Sequence, residues 1–447
     1  MLFCISLLIG NIISAQSNGI TTYNSVTGTN VISRHYNNLN IIVVCSHKNG
    51  IEAEFTVSNK KLNTTIGPYT GLTGTERDGY IVESMEVVNN ICYFCGKKWH
   101  EQLVPIYTME GYISYEPEYS YKGFIGNFNI DDILSGGTSF NEMSFDNISE
   151  LSKLTYSGGS ITAIGKNTNN KSIVLELKQY LGLWRYRIGT SHRSDEVFMD
   201  IVSCNSETVM ATRFDGSLSS TMLERNIGLR YGSKSNYCAS CTYFYCYDVC
   251  NIFTSNGLKS YYVSPILLSW NYVGNTVFVA SLGQQYHWTN RPYMFRVNRK
   301  GADTIHYQFT NDSYRYSKIN EVRFLDALYP DNQMVLLMES TTGKSTLRFP
   351  QWKTPVGTVS DTIIEDDIIK FQSIHPFYNS IYLSLLAGGF NANNGKVLTY
   401  KLYNIHNPYN NWSENTCRSV NTGSIIKDIK IAPPEQYYSP LETTDYH

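Results

Sequence analysis

The sequence predicts an all-β protein, a seven-bladed β-propeller of four-stranded antiparallel blades with a Cys-rich insertion. Three observations carry this: a composition that favours strands, a hydrophobic run that recurs seven times directly after a turn, and alternating segments flanking those runs.

Only 17% of the 447 residues are charged, against about 25% in an ordinary soluble domain. Thirty-five tyrosines, with abundant Asn, Ser and Thr, fill the vacancy. Such a neutral-polar, aromatic-rich chain suits a pleated, half-buried surface and argues against disorder, coiled coils and helical bundles. Lys plus Arg total 36 and Asp plus Glu 38, a net charge of −2. No global basic field exists to hold nucleic acid or an anionic membrane.

The seven runs are IIVVC at 41–45, ICYFC at 91–95, ITAI at 161–164, VMAT at 209–212, VFVA at 277–280, VLLM at 335–338 and IYLSLL at 381–386. Each follows turn residues such as Asn89-Asn90, Gly158-Gly159-Ser160 or Asn379-Ser380, which is the pattern of a hairpin. Before the turns come strand-like stretches such as 196–202, 321–327 and 368–374. After the runs come alternating strands such as 51–57, 172–178 and 397–403. The unit is strand, tight turn, hydrophobic strand, polar turn, outer strand, with room for a fourth. Successive runs start 46 to 70 residues apart. That spacing fits a four-stranded blade with loops and is too wide for solenoid repeats of about 20 to 35 residues. Closing the units into a ring protects sheet edges that separate meanders would expose.

Residues 1–15, MLFCISLLIGNIISA, read as a secretory signal peptide: a short apolar run without charge, ending in Ile13 and Ala15 at positions suited to signal peptidase. The rival reading is a buried N-terminal strand. The remainder, 16–447, reads as a single propeller domain with insertions at about 118–151 and 232–256. The alternating segment SIIKDIKIA at 424–432 is positioned to close the ring against N-terminal residues, or else to form a separate tail. Two or three sandwich domains are the rival architecture, but no Pro/Gly/Ser-rich linker marks a boundary. No later stretch reaches 18 uninterrupted apolar residues, so no membrane span is expected. The expected location is secreted, periplasmic or cell-surface, and the expected state a monomer.

One repeat carries more than a pattern. Residues 381–412, IYLSLLAGGFNANNGKVLTYKLYNIHNPYNNW, resemble a kelch repeat: hydrophobic strand, Gly388-Gly389, polar turn, strand ending near Tyr403, then Trp412. In that family the paired glycines let strands pack closely, and the Tyr and Trp pack between blades. The other units carry at most Gly96, Gly165 or Gly283 near the corresponding place. The chain is similar to divergent secreted bacterial β-propellers, most of which have no assigned activity, and fold alone confers none.

Nine of the ten cysteines follow the signal segment. Cys238, Cys241, Cys246 and Cys250 cluster in YCASCTYFYCYDVC. In an exported protein they are disulfide candidates, with a tetrahedral structural zinc site or free thiols as the alternatives. No other metal or cofactor is expected. Cys92 and Cys95 form a C-x-x-C, but in a strand they face opposite ways about 10 Å apart, beyond the reach of a disulfide. They read as small buried hydrophobes, as does Cys45.

No nucleophile elbow, zincin, P-loop or dinucleotide motif occurs in a usable context. Acidic groups such as Asp131-Asp132 and Glu365-Asp366-Asp367 read as solvated strand ends. If each run is the same blade strand, the segments after the runs share one rim: 46–49, 97–101, 166–171, 284–291, 340–344 and 390–394. That rim gathers His47, Trp99, His100, Tyr286, His287 and Trp288. Exposed aromatic rings offer flat faces to sugars or partner side chains, and the competing role for each ring is packing between blades. Trp99, His100, Tyr286, His287 and Trp288 are the ligand-binding candidates. The leading expectation is a secreted, non-catalytic binding module for a glycan, peptide or protein partner. The alternatives are a carbohydrate-active hydrolase or lyase with a central-channel site, and a structural envelope component.

Overall fold

A computed structural model of the chain describes the strands and helix named below, with connecting residues 89–90, 111, 135–140, 146–147, 158–159, 168–171, 191 and 341–344. The first meander contains β1 (Ile41–Lys48), β2 (Glu52–Val57) and β3 (Lys60–Asn63). The next contains β4 (Glu76–Val88), β5 (Ile91–Tyr107), β6 (Ile113–Asn129) and β7 (Asn141–Phe145), with helix α1 (Ile130–Leu134) before β7. Then come β8 (Ile148–Ser157), β9 (Ser160–Asn167), β10 (Ser172–Tyr180) and β11 (Leu183–Thr190), followed by β12 (Glu196–Cys204), β13 (Glu207–Phe214), β14 (Asn226–Ser233) and β15 (Cys246–Tyr247). A further meander holds β16 (Val263–Asn271), β17 (Thr276–Gln285), β18 (Thr289–Asn298) and β19 (Thr304–Phe309). It is joined to β20 (Tyr316–Phe324), β21 (Met334–Ser340), β22 (Ser345–Gln351) and β23 (Thr358–Asp366) by a short parallel pairing of β19 with β23. The last holds β24 (Lys370–Asn379), β25 (Tyr382–Asn391) and β26 (Asn394–Leu402), with β27 (Trp412–Ser413) and β28 (Arg418–Val420) both against β26. Finally β29 (Ser424–Ala432) pairs antiparallel with β1, so the first sheet runs β29-β1-β2-β3.

The fold is all-β, built from four-stranded antiparallel sheets. Each hydrophobic run of the sequence is a strand with a neighbour on both sides: β1, β5, β9, β13, β17, β21 and β25. Where the side chains are described, as at 92–95, 161–164 and 335–338, both faces are buried, which accounts for the unbroken apolar character. The turns before them are tight. Asn89 and Asn90 take φ of 48° and 62°, and Gly158 and Gly159 take 55° and 72°, the left-handed pair that matches strand twist in a two-residue hairpin. Residues 118–151, expected as an insertion or helical detour, supply the second half of β6, α1, β7 and the start of β8. Helix α1 is a single short turn of five residues. Asn129 caps it by accepting the Asp131 amide at 2.8 Å, and Ile130 and Ile133 bury beneath it.

Successive meanders pack face to face. Val43, Cys45 and Phe55 of the first meet Val82, Phe94, Phe124 and Phe128 of the second. Tyr93, Cys95 and Ile125, on the opposite face of the second, meet Leu151, Ile161, Ile173 and Leu175 of the third. Ile164 and Val174 meet Ile201 and Met210 of the fourth. Cys92 and Cys95 thus point into different cores, as their spacing required, and both are buried. The first strands also touch in sequence, β29 to β4, β8, β12, β16, β20 and β24, and β24 touches β29 again.

A recurrent device shapes each first strand. The register slips between Val82 and Ser84, Leu151 and Lys153, and Phe371 and Ser373. Opposite these bulges stand Gly96, Gly165 and Gly389, where a Cβ would collide with the carbonyl oxygens of Ile81, Glu150 and Lys370. A bulge also strands backbone groups, and a buried N–H requires an acceptor. The preceding meander supplies it. Val82 donates to His47 Nε2 at 2.9 Å, Phe198 to Ser172 Oγ at 3.3 Å, and Phe371 to Ser345 Oγ at 2.7 Å. Glu86 and Glu321 accept the Tyr156 and Ile374 amides in the same way, at 2.9 and 2.7 Å.

Candidate binding surface

Strands β5 and β6 have 17 residues each, about three times the usual length. β7 covers β6 only from Gly123 to Asn127, and the pairing of β4 with β5 stops at Glu76 opposite Gln102. The outer halves of β5 and β6 therefore project as a ribbon rooted on β4. Its pairing is continuous, with Trp99 opposite Tyr121, Glu101 opposite Tyr119, Leu103 opposite Pro117 and Pro105 opposite Tyr115. Directly opposed residues share a face, and alternate residues along a strand do too. One face of the ribbon accordingly collects Trp99, Tyr107, Tyr115, Tyr119 and Tyr121. Tyr107 is 73% exposed, Tyr115 60%, Tyr119 43% and Tyr121 44%.

Two prolines fix the direction of the backbone. Pro lacks an N–H and sits in a sheet only where that position faces away from the ladder. Pro105 and Pro117 belong to the same class of alternating pairs, Pro105 with Tyr115 and Leu103 with Pro117. This class is therefore the one without hydrogen bonds between β5 and β6. Tyr115, Pro117, Tyr119 and Tyr121 turn their main-chain groups outward, while Ser120 and its neighbours in the other class hold the ribbon together. Over residues 113–122, no described strand pairs with that outer edge.

The opposite face carries charged side chains, with Val104 and Ile106 toward its tip. His100 Nδ1 lies 2.6 Å from Asp78 Oδ1, Lys98 Nζ 3.3 Å from Glu142 Oε1, and Lys122 Nζ 2.7 Å from Asp146 Oδ1. The last pair raises the Lys122 ammonium and lowers the Asp146 carboxyl from their ordinary pKa values, by hydrogen bonding first and charge second. Nearer the core, burial and a hydrogen bond to Glu142 hold the Tyr80 phenol far above its usual pKa. On the tyrosine face Lys97 Nζ stands 5.5 Å from the Tyr121 ring centre, within cation–π range.

Of the expected rim residues only His47, Trp99 and His100 are described, and they do not share one exposed turn. Residues 97–101 are not a turn, because β5 runs through them. Trp99 is 1% exposed, lying where Gly79 leaves no side chain and edge-on to Tyr119. It supports the platform and offers no open ring. His100 is half-exposed on the other face, bound to Asp78. His47 is buried and accepts the Val82 amide. Tyr286, His287 and Trp288 lie outside the described residues, as do Cys238, Cys241 and Cys250, the side chain of Cys246 and the signal segment 1–15. Among the described residues no group of three or more His, Cys, Asp or Glu is placed to hold a metal. No described helix is long and apolar enough to cross a membrane. Sequence reasoning missed the exposed tyrosines, whose signal was the alternation YISYEPEYSYKG at 112–123.

No protein-family profile and no curated protein matches the chain. Among solved structures it is similar to a candidate 6-phosphogluconolactonase of Bacteroides uniformis at 8% identity and TM-score 0.48, over 88% of this chain and 99% of that one. It is similar to an apocarotenoid oxygenase of Synechocystis at 6% identity and TM-score 0.39, over 73% and 70%. It is also similar to the sialidase of Trypanosoma rangeli at 10% identity and TM-score 0.33, over 76% and 57%. Likeness at this level assigns no activity to this chain.

Proposed function

We propose that the protein is a single-domain, secreted seven-bladed β-propeller that acts as a non-catalytic binding module, with the tyrosine face of its projecting ribbon as the docking surface. The cyclic contact of first strands, from β29 round to β24 and back, supports the ring. Pairing of β29 with β1 supports its closure by chain ends. Residues 1–15 would direct export, and the cysteines of 232–256 would staple a surface insertion by disulfides.

The single observation that carries the binding reading is the row Tyr107, Tyr115 and Tyr119, exposed on a strand pair that no core requires. Large rings cost water contact when left exposed, and they lose little side-chain entropy on docking, which makes tyrosine a common interface anchor. A polysaccharide and peptide panel titrated against the protein tests the reading. Replacing Tyr107 and Tyr115, the two most exposed rings of the row, with Ser together should weaken binding at least tenfold without altering thermal unfolding. Undiminished binding by that variant would remove the ribbon from the site.

A further inference from the structure

We infer that the outer edge of β6 accepts an extended, basic peptide segment of a partner protein as an added strand. The inference rests on the ribbon being the docking surface and names what docks there. Over residues 113–122 the edge is unpaired by any described strand, and the two prolines fix its outward groups. These are the N–H groups of Tyr115, Tyr119 and Tyr121 and the C=O groups of those residues and Pro117. An extended peptide satisfies such a row by main-chain hydrogen bonds, with specificity set by alternate side chains.

Proline and charge are also how sheets blunt their edges against uncontrolled pairing. Here Pro117 removes one donor of the row and leaves its acceptor, so the edge is restricted and still able to pair. The charges choose the partner. Glu116 and Glu118 are exposed on the face opposite the tyrosines, and among the described residues neither meets a basic side chain. The nearby Lys122 is engaged by Asp146. A strand laid along the edge places alternate residues beside these two carboxylates, where Lys or Arg is favoured and Glu or Asp repelled. Its remaining residues fall beside Tyr115, Tyr119 and Tyr121, where aromatic, aliphatic or proline side chains stack.

Fluorescence anisotropy on the full chain with labelled KYKVKYK and EYEVEYE tests this. The basic peptide should bind and the acidic one should not, and Glu116→Gln with Glu118→Gln should weaken binding about tenfold and flatten its salt dependence. Two further basic peptides carry N-methyl groups on alternate residues, one set for each edge. An added strand uses one edge only, so one methylated peptide should lose binding and its complement keep it. Equal behaviour of the two overturns strand addition, while sensitivity to Tyr115→Ser would leave the tyrosine face as the site. If only glycans bind and Tyr115→Ser abolishes that, the peptide class falls and the surface stands. If nothing binds, both fall.

Discussion

The inner and outer halves of β5 and β6 are continuous in register but occupy opposite environments. Inside, Phe94, Phe124 and Phe128 are buried, the Phe94 ring centre lying 5.9 Å from that of Phe124, edge-on, and 6.0 Å from that of Phe128, tilted. Outside, Tyr115 and Tyr119 stand in water on the same pair of strands. The backbone is alike in both, so strand length in the outer half is not explained by core formation. The difference separates residues that make the fold from residues that the fold displays.

Substitutions can break or sharpen that contrast. Phe94→Ala should be the most damaging, about 3–5 kcal/mol for an aromatic removed from a packed core, read as a lower urea midpoint. Gly96→Ala should follow at about 1–3 kcal/mol, because overpacking at this site meets backbone that cannot swing aside. Tyr93 should give a pH signature. Burial, then the neighbouring Tyr156, pushes its phenol up to about 12. A raised folded pKa gives stability that is complete below the ordinary tyrosine value near 10 and lost as pH rises through about 12. Urea midpoints between pH 9 and 12 should therefore fall less steeply in Tyr93→Phe than in the parent. Tyr115→Ser should be the mildest, within about 0.5 kcal/mol, as for other exposed positions.

The inner half was legible in the sequence and the outer half was not, for physical reasons. A strand buried on both faces leaves an uninterrupted apolar run, so ICYFC at 91–95 was visible without a partner. Asn89-Asn90 announced the turn because few other residues tolerate its left-handed backbone. Gly389 faces a bulge carbonyl, as Gly96 and Gly165 do, but which glycine meets a bulge depends on strand register, which a single stretch of sequence does not display. Beyond Gly96, the paired lysines and His100 looked like a turn, although Trp99, Leu103 and Tyr107 continue the strand period. The burial of Trp99 depended on Gly79, and only the register of β4 with β5 brings those two together.

The pairing of β29 with β1 also bears on biosynthesis. Among the described strands, β1 finds one of its two neighbours only when the nine-residue β29 has been translated. Throughout synthesis the nascent chain carries a sticky, half-zipped edge that invites chaperones or mispairing. A premature stop before Ser424 would thus be expected to leave β1 without its β29 neighbour and to harm the first sheet as a whole.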